Sequence, residues 1–104
     1  MPSSKYIIRL LSIAEQDLED LLSYVAAENA RAATESLDQI EARLVALQLR
    51  PFTGRVPQSS KLTALGYRVL VIDNYLVFYK VKSNVVLVYC ILHGARDILH
   101  LLSE

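Results

Sequence analysis

At 104 residues the chain can build one hydrophobic core but not two, and an apolar fraction of 53% with only three glycines and three prolines excludes a disordered chain. The net charge is zero, so the Lys/Arg excess of a protein that grips many phosphates is missing. That zero hides an asymmetry: residues 1–50 carry 5 Lys+Arg against 8 Asp+Glu, and residues 51–104 carry 6 against 3, or −3 and +3.

No stretch reaches the roughly 18 uncharged apolar residues that cross a bilayer. The opening MPSSKYIIRLL has no signal-like apolar core or cleavage site, and the single cysteine, Cys90, has no disulfide partner. A cytoplasmic, reducing location is expected, with no membrane partner.

YIIRLL (6–11) is short, β-branched and aromatic, and predicts a first strand. Ser12 and Glu15 are spaced as a capping box, so a helix should start near Ser12. Ala14, Leu18, Leu21, Leu22 and Val25 recur at helical spacing. Glu15, Asp17, Glu19 and Asp20 read as its solvated acidic first turns rather than as a carboxylate pair. Asn29 should stop this helix, and a second runs from about Ala30 to Leu49, ended by Pro51. Joined so tightly, the two predict an antiparallel αα-hairpin.

Residues 51–63 are rich in Pro, Gly, Ser, Gln and Thr and predict a loop. YRVLVI (67–72) and YLVFYKV (75–81) flank the two-residue turn Asp73-Asn74. Lys82-Ser83-Asn84 turns the chain again into VVLVYCIL (85–92), whose nearly unbroken apolar run predicts a central strand covered on both faces. Gly94 breaks that strand, and RDILHLL (96–102) predicts a short terminal helix. The order β-α-α-β-β-β-α predicts one α+β domain over 1–104: a mainly antiparallel four-stranded sheet with the helical hairpin packed on a face.

The sequence holds no Ser-x-x-Lys, Gly-x-Ser-x-Gly, glycine-rich phosphate loop or dinucleotide fingerprint, and no cofactor is implied. Cys90-x-x-His93, with His100 nearby, offers two or three ligands where a structural zinc site wants four, so no metal is expected. His93 beside Arg96 has the chemistry of a general acid or base, and equally that of a loop-bracing histidine. Lys61, Arg68, Lys80, Lys82 and Arg96 form a second constellation, with Arg68 and Lys80 brought to one sheet face if strand alternation allows.

AEQDLEDLLSYVAAEN, PFTGRVPQ, GYRVLVIDNYLVFYKV and ILHGARD, in this order and spacing, resemble the RelE/ParE superfamily of type II toxin–antitoxin toxins over nearly the whole chain. The resemblance implies the fold just described, a cognate antitoxin partner in a hetero-oligomer, and one of two targets. RelE-like members cut messenger RNA on the ribosome, and by that resemblance Lys61, Arg68, His93 and Arg96 would be the catalytic set. ParE-like members inhibit DNA gyrase and need no nuclease site. Two positions depart from the nuclease pattern: Leu76 stands where a key arginine is expected and Gln58 where one branch has a glutamate. The ParE-like branch is therefore the expected one, with an inactive interaction module of the same fold as a further alternative. Under it, Arg68, Lys80, His93, Arg96, Ile98, Leu99 and Leu102 are the expected contacts with target or antitoxin.

Overall fold

A computed structural model describes residues 5–93; the terminal helix expected over 96–102 lies outside the described residues. The described elements are β1 (Ile7–Leu10), α1 (Ser12–Glu28), α2 (Ala30–Ala46), α3 (Ser60–Ala64), β2 (Arg68–Ile72), β3 (Tyr75–Lys82) and β4 (Val85–His93). The strands form one sheet in the order β1-β4-β3-β2. β4 runs antiparallel to β3 and parallel to β1, and β3 is antiparallel to β2. The expected α+β architecture and the central place of β4 hold, but β4 is not covered on both faces: Val86, Val88 and Ile91 are buried under the helices, while Leu87, Tyr89 and Leu92 on the other side are half-buried. α3 is an addition to the expected order.

The capping box does not form. Strand pairing persists through Leu11, whose N–H donates to the Val88 carbonyl, so the helix opens directly at Ser12 with Leu11 as its N-cap and no side-chain cap. Asn29 does more than stop α1. Its extended backbone (φ −157°) is both the C-cap of α1 and the N-cap of α2, and its side-chain oxygen accepts from the Ala32 N–H at 3.1 Å. α2 ends three residues before the expected Leu49, because Leu47–Leu49 tighten into a turn whose Gln48 carbonyl accepts from the Tyr6 N–H.

The helical hairpin covers one face of the sheet. Ala14, Ile40, Leu44 and Leu47 pack there against Leu70, Ile72, Tyr75, Val77, Tyr79, Val86, Val88 and Ile91. The other face carries a smaller cluster of Val69, Leu76 and Phe78, against which Leu62, Tyr67, Cys90 and Leu92 pack. α3, with its Leu62, therefore lies on that second face. Ser59 caps α3 by accepting from the Leu62 N–H, and Gly66 (φ +90°) ends it in a left-handed turn that L-residues avoid. Both hairpin turns are two residues long and set their first residue, Asp73 or Ser83, at positive φ.

One irregularity decides which side chains share a face. Phe78 pairs with Cys90 but Tyr79 pairs with Val88, so Tyr89 is an extra residue, a β-bulge. Without it, Ile91 and His93 would lie on the face opposite Val86 and Val88. The bulge returns both to the helix side and leaves Tyr89 and Cys90 together on the other.

Candidate functional site

Three groups of polar side chains occupy separate places. The first is on the helix side, where Arg68 pairs across the ladder with Tyr79. The Tyr79 hydroxyl donates to the Pro51 carbonyl at 2.8 Å and accepts from the Gly54 N–H at 2.9 Å. Arg68 Nη1 donates to the carbonyls of Phe52 (3.1 Å) and Gly54 (3.0 Å), and its guanidinium lies 5.1 Å from the centroid of the Phe52 ring. Together they hold the turn after α2. Glycine is required at 54, because a Cβ there would sit 2.5 Å from the Tyr79 hydroxyl oxygen. Burial pushes the Tyr79 phenol up, and the Gly54 N–H and the Arg68 charge partly offset this.

The second group centres on His93, at the end of β4. Its ring meets Tyr75 edge-on at 5.7 Å. With Asp20, Leu21 and Tyr24 of α1 it lines a cleft of about 380 Å³. Nearby, the Ile91 N–H points past the end of β1 and donates to Asp17 Oδ2 at 3.0 Å. Asp17 is thus not only a solvated first-turn acid: it caps the stretch of β4 that β1 is too short to pair. Burial, and then the Asp17 charge, push the Cys90 thiol up to about 11.

The third group is on the face opposite the helical hairpin. Lys80 Nζ lies 4.5 Å from the Tyr67 ring centroid and 5.2 Å from that of Tyr89, and the two rings meet edge-to-face at 5.2 Å. Tyr67 also meets Phe78 edge-on at 6.4 Å. Its phenol is raised by burial, then by Tyr89 and Cys90. Beside this cage is a groove of about 310 Å³, lined by Arg55, Val56, Pro57, Gln58, Val69, Val71, Leu76 and Phe78. Its wall is fixed by reciprocal backbone hydrogen bonds between Arg55 and Val69, at 2.7 and 2.8 Å.

The expected constellations are therefore divided. Arg68 and Lys80 do not share a face: Arg68 lies beside Tyr79 and Lys80 is the next residue along β3 on the other side. Arg68 and His93 lie two strands and four residues apart, roughly 16 Å from strand spacing and rise. Lys61 is on α3, on the face opposite the helical hairpin. Cys90 and His93 point to opposite faces and cannot share an ion. Arg96, Ile98, Leu99 and Leu102 lie outside the described residues. What the sequence reading missed is Arg55, Tyr67 and Tyr89: the first sits in a loop, and the tyrosines, 22 residues apart in sequence, meet only through the register of β2, β3 and β4. The Leu76 and Gln58 positions, 18 residues apart in sequence, do meet, in the groove.

Comparison with known proteins gives a consistent result. The family described as the ParE toxin of type II toxin–antitoxin systems, parDE, matches residues 8–98. No curated protein matches. Among solved structures, the chromosomal ParDE toxin–antitoxin system from P. aeruginosa superposes with a TM-score of 0.72 at 17% identity, covering 88% of this chain and 99% of the other. The RelBE2 toxin–antitoxin complex from Mycobacterium tuberculosis superposes with a TM-score of 0.64 at 19% identity, covering 90% and 97%. At these identities the superpositions establish the shared fold.

Proposed function

The chain belongs to the ParE toxin family of type II toxin–antitoxin systems, and on that premise we propose that it arrests growth by inhibiting DNA gyrase and is neutralised by a cognate antitoxin. The observation that carries the choice of target is the groove where Leu76 and Gln58 meet. Cutting RNA through its 2′-hydroxyl needs a group to take the proton and a cation to hold the charge that develops on phosphate. The groove offers Arg55 but no Asp, Glu, His or Tyr among its lining residues. A leucine cannot neutralise phosphate, and a glutamine cannot accept a proton at neutral pH. Of the other nuclease candidates, Arg68 is engaged by two carbonyls, and His93 is on the other face. An inhibitor needs a binding surface, not a proton relay, and this arrangement suits one.

The antitoxin reading is supported by the two complexes to which the fold is similar, each a toxin assembled with its antitoxin. We assign Arg96, Ile98, Leu99 and Leu102 to that contact, since four apolar residues among the last seven must either pack on the sheet or be covered by a partner. An apolar stripe on an antitoxin helix would supply it. The complex is then a hetero-oligomer working in the cytoplasm. Induced expression without antitoxin tests the reading in cells. Growth arrest with relaxed plasmid DNA and intact messages is expected. Arrest with messages cut in translated frames would instead establish the nuclease, and undisturbed growth would establish an inert module.

A further inference from the structure

The charge asymmetry of the sequence becomes, in the fold, an asymmetry between the two faces of the sheet. α1 and α2 hold all eight acidic residues of the N-terminal half against two cations, Arg31 and Arg43. The face opposite the helical hairpin has the opposite character. Ile8 and Leu10 of β1 pack toward the helices, so Arg9 between them points to the open face. Arg9 pairs with Leu87, and Leu87 pairs with Lys80, which makes one transverse row of Arg9, Leu87 and Lys80. Lys82 follows Lys80 on the same face, and Arg55 rims the groove beyond. The one acid between residues 51 and 93 is Asp73, which adjoins Gln39, Ala42 and Arg43 of α2 instead. Among the described strand residues the open face carries no acid.

The spacing is informative. Arg9 and Lys80 are separated by two strand intervals, roughly 10 Å, and Lys80 and Lys82 by two residues, roughly 7 Å. Carboxylates at alternate positions of an extended chain repeat at the same ~7 Å. The Lys80 amine is already held by two rings, so little side-chain freedom is lost when it meets an anion. Half-buried Leu87 lies between the cations, and the exposed Val56 and Val71 line the groove beside them, which suits a segment mixing acidic and apolar residues.

We propose that the part of this face that α3 leaves open, around Arg9, Leu87, Lys80 and Lys82, is the target-docking surface and that it takes an extended acidic segment of gyrase; the inference rests on the gyrase reading above. A nucleic-acid strand is the less suitable occupant. The Tyr67 and Tyr89 rings are already engaged with Lys80 and with each other, contacts that stacking on a base would have to compete with.

The test uses purified full-length toxin with gyrase and relaxed plasmid, and titrates inhibition of supercoiling. Lys82→Glu and Arg9→Glu alter exposed side chains, and Lys80→Glu alters the caged one; thermal unfolding identifies any variant that fails to fold. Each charge reversal at Arg9 or Lys82 should raise the half-inhibitory concentration roughly tenfold, and raising the salt should weaken the wild type in parallel. Arg31→Glu, on the helical layer, should inhibit as the wild type does. Inhibition that survives both Lys82→Glu and Arg9→Glu, in folded proteins, overturns the docking surface while leaving gyrase as target. Wild-type toxin that binds a single-stranded oligonucleotide without gyrase, and loses that binding in Lys80→Glu, makes the face a nucleic-acid site and overturns it too. A wild type without effect on gyrase removes both the target and the surface.

Discussion

Tyr79→Phe is the most demanding test of how the loop after α2 is held. The substitution keeps the ring, which is fully buried in the core, and deletes one oxygen. That oxygen serves two buried partners, the Pro51 carbonyl and the Gly54 N–H, at 2.8 and 2.9 Å. Each buried group left unpaired costs about 1–3 kcal/mol, so the loss should be about 3 kcal/mol. For a domain of this size that lowers the melting midpoint by roughly 10–20 °C. Urea unfolding followed by circular dichroism measures it, with an unchanged m-value showing that the native state stays compact. Gly54→Ala should also destabilise, since its Cβ would collide with the same hydroxyl. The two effects should be partly non-additive, because the double variant removes the nearest atom the alanine strikes while Tyr79 Cε1, at 2.8 Å, remains. A Tyr79→Phe loss below about 0.5 kcal/mol, or simple additivity with Gly54→Ala, would refute the reasoning.

Asn29→Ala removes the one side-chain cap between α1 and α2 and should cost about 1 kcal/mol, read in the same unfolding assay. Cys90, raised to about 11 from an ordinary 9.0, should react with a thiol reagent at pH 8 roughly 100-fold more slowly in the folded protein than in urea. Because the unfolded thiol ionises first, its contribution to stability is present below about pH 9 and is lost as the pH rises towards about 11. Asp17→Asn should speed that labelling, since it removes the charge that helps hold the thiol neutral.

The two long helices were legible because apolar residues recur at a helical period, and the β3–β4 meander because turn residues punctuate apolar runs. Asn29 was legible as a stop and, being an N-cap type, was half of the hairpin's joint. The Ser12–Glu15 capping box was a false signal, since the competing bond from Leu11 to Val88 comes from a strand 77 residues away in the chain. α3 was hidden in a polar stretch, five residues being too few to show a period. The division of the basic residues was beyond the sequence for two physical reasons. Arg9 joins Lys80 only through the parallel pairing of β1 with β4, and a single extra residue at Tyr89 decides the face of everything after it. The composition therefore showed the sign of each half, but not that the halves become opposite faces of one sheet.

Direct action on gyrase, as proposed above, can be measured in isolation. The measurement is a supercoiling reaction containing only gyrase, ATP, relaxed plasmid and folded toxin, with no ribosome or messenger RNA. The account predicts that supercoiling falls as toxin is added, or that cleaved plasmid accumulates, and that excess cognate antitoxin restores the reaction. Normal supercoiling at a large molar excess of folded toxin would contradict it.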